Sequence, residues 1–114
     1  MQLEIQKLLH DVQTSILSIE EYLGPRRDFQ EYKQNKQLRR AVEREFEIIG
    51  EAVNKIRKIK SDVHISDSKR IVNLRNWIIH AYDSVDDIII WGIITRDLPL
   101  LKVQIEGLIK NTGL

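Results

Sequence analysis

Apolar residues recur at spacings of three and four along most of this chain and nowhere alternate with polar ones, so helices are predicted throughout and strands nowhere. Ile5, Leu8, Leu9, Val12, Ile16, Ile19 and Leu23 mark a first helix that stops at Gly24-Pro25. Residues 26 to 35 are polar and read as a connection. A long second helix follows from Leu38, Val42, Phe46, Ile49, Val53 and Ile56. Gly50 inside it costs about 1 kcal/mol relative to alanine, a cost explained by the close approach of another helix. After a polar break from Ser61 to Ser68, Ile71, Leu74 and Ile78 form the buried stripe of a third helix. Ser84 reads as the N-cap of a fourth, with Asp86 and Asp87 in its first turn. Asp97-Leu98-Pro99 reads as the start of a fifth, with Leu101, Ile105, Leu108 and Ile109 buried.

The fourth segment breaks the amphipathic rule. Ile88-Ile89-Ile90-Trp91-Gly92-Ile93-Ile94 is apolar around its whole circumference, whereas a surface helix keeps a wet side. It is either the central helix of the monomer or part of a seam between two copies.

Composition narrows the setting. The chain has 114 residues, enough for a single domain (1–114) with a real core. It has no cysteine, so disulfides and thiolate metal sites are excluded and a reducing cytoplasm is the natural compartment. Met1-Gln2-Leu3-Glu4-Ile5 lacks the basic and apolar regions of a signal peptide. The run Ile88–Ile94 is far shorter than the roughly 20 residues a membrane span needs, so no membrane association is expected. The net charge of +1 conceals a basic middle: Arg26, Arg27, Lys33, Lys36, Arg39, Arg40 and Arg44 could attract a polyanion, although interspersed glutamates also suit an ordinary solvated face.

The chemistry concentrates in Arg75-Asn76-Trp77-Ile78-Ile79-His80-Ala81-Tyr82. Arginine offers a fork of donors matched to phosphate oxygens, and histidine exchanges protons near neutrality. At about 100° per residue, Arg75 and Tyr82 share one helical stripe while Asn73, Asn76 and His80 share the next. Arg75 and His80 are then about 140° apart. They converge only if the arginine reaches round, the helix frays at His80, or a second molecule completes the site. The bland reading pairs Arg75 with Asp83 or Asp86, makes His80 a helix-terminal residue favoured by the macrodipole, and packs the Tyr82 ring. His10 and His64 read as surface residues, and no set of His, Asp and Glu stands at a metal-ligand spacing.

What surrounds the motif raises its standing. Arg75-Asn76-x-x-x-His80-x-Tyr82, Val85-Asp86, Ile89-x-Trp91 and Asp97-Leu98-Pro99, with the upstream run Arg40 to Ala52, resemble in register the HepT-like branch of the HEPN superfamily, over about residues 38 to 109. The resemblance implies an all-α, HEPN-type up-and-down bundle of four or five helices, and a homodimer with the active cleft between protomers. It implies the ribonuclease toxin of a type VII-like HepT/MntA toxin–antitoxin system, with RNA as substrate. On this expectation Arg75 and His80 are catalytic and Asn76 and Tyr82 support them, without metal or cofactor. His80 acts as general base or acid in attack of a 2′-hydroxyl on the adjacent phosphate, and Arg75 stabilises the developing charge. HepT-like toxins are similar in being controlled by a small nucleotidyltransferase antitoxin, MntA, which transfers AMP to the motif tyrosine. That carries the modification to Tyr82 and makes the antitoxin an expected partner, in a larger hetero-oligomer if the two assemble.

A second class of reading keeps the fold and drops the catalysis: a helical HEPN module that binds a nucleotidyltransferase and nucleotide. A helix-turn-helix DNA binder is a distant third, because no compact helix rich in base-reading side chains is present.

Overall fold

A computed structural model describes residues 3–65, 68–80 and 87–111, and for 75–80 the backbone alone. All regular structure among them is helical, as expected. Helix α1 spans Leu3–Leu23, α2 Phe29–Gln34, α3 Lys36–Ile59, α4 Lys69–His80, α5 Asp87–Gly92 and α6 Leu98–Asn111, with one π-helical stretch, Ile93–Asp97, joining α5 to α6. Helix α3 packs on both α1 and α4, and α6 packs on α1. Ile5, Leu9, Val12, Ile16 and Ile19 of α1 meet Val42, Phe46, Ile49, Val53 and Ile56 of α3 in one buried cluster, to which Ile71 and Leu74 of α4 and Leu101 and Ile105 of α6 belong. These belong to the apolar stripes read from the sequence, and burying each such side chain contributes about 1.5–3 kcal/mol. Leu23, Leu38, Leu108 and Ile109, expected in the same stripes, are only half-buried against the cluster, at the helix ends. No described helix is long and apolar enough to cross a membrane.

Helix α1 ends where Gly24 takes a left-handed conformation, φ +72°, with its N–H donating to the Glu20 carbonyl at 3.0 Å. Glycine bears this without strain, and Pro25 cannot continue the helix. The following segment is not the plain connection expected. Asp28 caps a short helix, α2, accepting from the N–H groups of Gln30 at 2.9 Å and Glu31 at 3.2 Å. Phe29 and Tyr32, one helical turn apart, turn their rings onto Trp91, with centroids 5.7 Å and 5.4 Å away. Asn35 then caps α3 through Leu38. Gly50 is buried on α3.

The junction before α6 also differs from expectation. Asp97-Leu98-Pro99 does not begin a separate helix, because the chain stays helical from Asp87 to Asn111 and widens into a π turn over Ile93–Asp97. Proline lacks the N–H that would donate to the carbonyl of Thr95, so regular α pairing fails at this turn. The Leu98 N–H reaches back to Ile93 instead, and the Thr95 hydroxyl donates to the Trp91 carbonyl at 2.9 Å. Asp97, rather than capping, faces Arg70 of α4 at 3.4 Å.

The wholly apolar segment proves mostly internal. Ile90, Ile93 and Ile94 are buried in the core, and Trp91 is covered by the aromatics of α2. Ile88 stands out at 70 % exposure. The cap expected at Ser84 lies outside the described residues.

Candidate active site

The motif residues that the structure describes lie on α4, a helix of twelve residues ending at His80. Its register sorts them. Ile71 and Leu74 are buried, 0 % and 3 % exposed, and define the core face. Lys69, Asn73, Asn76 and His80 fall within about 60° of one another on the opposite side at 100° per residue; Lys69 and Asn73 are exposed. Arg75 takes the register at the margin of the core face, beside Ile71. The helix persists through His80, so fraying there is not how Arg75 and His80 come together. Two of the three routes remain: a long arginine reaching round, or completion by a second molecule. Tyr82, Asp83 and Asp86 lie outside the described residues.

Helix α4 is fixed at its sides. It packs on α3, and its Arg70 bridges to Asp97 in the π turn. Downstream of the motif, the first described residue, Asp87, approaches Arg39 of α3 with the guanidinium nitrogen 3.9 Å from its carboxylate. Both belong to a polar cluster enclosed by α2, α3 and α5, which sequence reasoning missed. Glu43, 5 % exposed, has its carboxyl pushed above the usual carboxylate range by burial, an effect opposed by Arg40 at 3.2 Å. Tyr32, 1 % exposed, has its phenol pushed far up by burial and by the nearby carboxylates of Glu43 and Asp87. Among the described residues, three buried atoms have no hydrogen-bond partner: the Tyr32 hydroxyl, Arg39 Nε and Asp87 Oδ1. The signal for this cluster was faint, since Arg39 and Asp87 are far apart in sequence and each has an ordinary local reading.

The structure also neutralises part of the basic run. Arg26, Arg39, Arg40 and Arg44, from the run singled out in the sequence, each face a carboxylate: Asp28, Asp87, Glu43 and Glu47 respectively. Further along α3, Arg57 and Lys58 face none among the described residues, and neither does Lys69 at the start of α4. Among the described residues, cations without a facing carboxylate therefore include this group at the α3–α4 end, beside the helix that carries the motif, as well as Arg27, Lys33 and Lys36 of the earlier run. His10 and His64 are exposed, as expected.

The family model for ribonuclease HepT-like proteins matches residues 12–108. The chain belongs to this family. Its relatives include a Methanocaldococcus jannaschii protein named "Putative RNase MJ1380", 34 % identical over 104 residues that cover 90 % of this chain and 94 % of the relative. Another is the "Probable ribonuclease HepT" of Thermococcus cleftensis, 34 % identical over 105 residues covering 90 % and 93 % of the two chains. No solved structure matches at a significant level. The HepT-like match spans α3, α4 and the π turn whole, so the motif helix and both elements that brace it lie inside the family's common region.

Proposed function

We propose that this HepT-like chain is a metal-independent RNA endonuclease, the toxin of a pair whose antitoxin is an MntA-like nucleotidyltransferase. Family membership supports the ribonuclease. The observation that carries the assignment of residues is the register of α4: Asn76 and His80 take positions opposite the core, Arg75 a position at its margin, all within the last two turns.

In this reading the RNA brings its own nucleophile. The 2′-hydroxyl gives its proton to a neutral His80 and forms a bond to the adjacent phosphorus, while the bond to the 5′-oxygen breaks and that oxygen takes up a proton. Arg75 holds the non-bridging oxygens as negative charge grows on them. Asn76 orients the imidazole or the phosphate, and Tyr82 adds a hydrogen bond. Because Arg75 and His80 are about 140° apart on a regular helix, a two-fold dimer completes the site: one histidine serves as base, and the partner's His80 protonates the leaving oxygen. AMP attached to Tyr82 by the antitoxin would set a second anion near His80, where Arg75 pairs with it and RNA is excluded.

Purified chain, unmodified at Tyr82 and free of antitoxin, is incubated with mixed RNA in EDTA. Cleavage is expected, with loss of about 10²-fold or more in His80→Ala, the order of magnitude for removing a positioned acid or base, and a comparable loss in Arg75→Ala. Incubation with ATP and the cognate nucleotidyltransferase should add AMP to the wild type and not to Tyr82→Phe. No cleavage by well-folded dimeric protein would assign the chain to the non-catalytic binding module instead.

A further inference from the structure

Where α3 ends and α4 begins, an open cavity of about 490 Å³ is lined by Arg57, Ser61, His64, Lys69 and Asn73. A second hollow of about 360 Å³ adjoins it through Arg57 and Ser61 and adds Asn54 and Lys58. The wall between the helices is held in place: the Gln104 side-chain amide donates to the His64 carbonyl at 3.2 Å, and the Ser68 hydroxyl donates to the Ile65 carbonyl. The cavity is thus a feature of the fold, with three cations around it that meet no carboxylate among the described residues.

Helix electrostatics account for only part of this charge. Arg57 and Lys58 stand in the last turn of α3, where cations offset the negative end of the helix. Lys69 stands in the first turn of α4, where the helix end is itself positive and a cation is unfavourable. Its neighbour Arg70 is matched by Asp97, but Lys69 has no such partner among the described residues. An anion from outside would relieve both Lys69 and the helix end.

Register links this cavity to the motif. Lys69 and Asn73, which line it, share their stripe of α4 with Asn76 and His80. At 1.5 Å rise per residue, His80 lies roughly 10 Å along the axis from Asn73 and roughly 16 Å from Lys69. A short single strand entering at His80 therefore has a polar and basic path toward the start of the helix.

We infer that the cavity at the α3–α4 junction is a subsite for the phosphates of single-stranded RNA flanking the scissile bond, with Arg57 and Lys69 as its charged contacts. The inference rests on the nuclease reading for the direction of the strand. Backbone contacts of this kind are independent of base sequence and strongly dependent on salt.

The test titrates the full chain with labelled, 2′-O-methylated single-stranded RNA over a series of salt concentrations, a probe that binds and cannot be cut by 2′-hydroxyl attack. In Arg57→Ala/Lys69→Ala, whose native side chains are exposed, the slope of log K against log salt should shrink by about 1.4, or about 0.7 for each single-strand phosphate no longer neutralised. Lys7→Ala, which removes an exposed cation paired with Asp11 on α1, should leave the slope unchanged. The double variant should also keep wild-type kcat/KM on a dinucleoside monophosphate, too short to reach from His80 to the cavity, and lose it on long RNA. An unchanged slope, or an equal change in Lys7→Ala, overturns the subsite. So does a double variant that loses ATP binding while holding RNA as tightly as the wild type, which would make the cavity a site for free nucleotide phosphates. A reduced slope in a protein that cuts neither substrate would keep the subsite and refute the nuclease, whereas normal cutting with an unchanged slope does the reverse.

Discussion

Replacing Tyr32 by phenylalanine should make this protein more stable. The Tyr32 side chain is 1 % exposed, and its ring packs against Trp91 with centroids 5.4 Å apart. Its hydroxyl has no hydrogen-bond partner among the described residues, although Arg39 and Asp87 of the same cluster each carry a buried atom in the same condition. Leaving a buried donor unsatisfied costs about 1–3 kcal/mol, because its hydrogen bonds to water are broken on folding and not replaced. Phenylalanine keeps the ring and its packing while removing the penalty, so Tyr32→Phe should gain about 1–3 kcal/mol. For a chain of this size that is roughly 4 °C in Tm per kcal/mol. Urea denaturation at fixed protein concentration should show a higher midpoint with an unchanged m-value, meaning that stability has changed and not the surface exposed on unfolding. A lower midpoint in Tyr32→Phe would refute the reasoning and show that the native hydroxyl is satisfied, with the cluster a completed network.

Further outcomes follow from the same physics. Burial raises the Glu43 carboxyl, so the folded protein binds more protons than the unfolded chain once pH passes the ordinary carboxylate value. Stability contributed by this residue is therefore full at low pH and is lost as pH rises through its raised folded value; Glu43→Gln should flatten that loss in melts recorded at a series of pH values, and an unchanged pH profile would oppose the assignment. Gly24→Ala forces a Cβ into a left-handed conformation at φ +72° and should cost about 1–2 kcal/mol, read as a lower urea midpoint. Asp28→Ala removes the acceptor of two N–H groups at the start of α2 and should cost about 0.5–2 kcal/mol, whereas Asp28→Asn should restore most of it.

Much of this architecture was legible in the sequence because long amphipathic helices write their core face at intervals of three and four. The stripes of α1 and α3 appear in the buried cluster except at their ends, where Leu23 and Leu38 are half-buried against it. Helix α2 escaped because one and a half turns cannot establish a period; its only marks were an aspartate cap and two aromatics three apart, Phe29 and Tyr32. The Asp97-Leu98-Pro99 run misled for the opposite reason, since a capping residue shortly before a proline resembles a helix start. Here the missing N–H of Pro99 is absorbed by a π turn inside a continuous helix. Charge was the least legible feature. Counting cations pointed to residues 26 to 44, yet four of those arginines face carboxylates, and among the described residues further cations facing none gather where α3 meets α4, a place the count did not single out. Which cation finds a partner depends on three-dimensional neighbours that composition does not contain. At the motif, helical spacing separated the Arg75 register from that of His80, and α4 keeps them apart as far as its last residue.

The central claim is that RNA is cut by its own 2′-hydroxyl with His80 moving the proton. The most direct measurement is the chemistry of the new ends when purified, unmodified protein cuts a defined RNA in EDTA. Attack by the 2′-oxygen must leave a 2′,3′-cyclic phosphate, or the 2′- or 3′-phosphate from its opening, facing a 5′-hydroxyl, and a single 2′-deoxy substitution at the cut position must abolish cleavage there. Ends bearing a 3′-hydroxyl and a 5′-phosphate, or cleavage that continues through the deoxy position, would contradict the account.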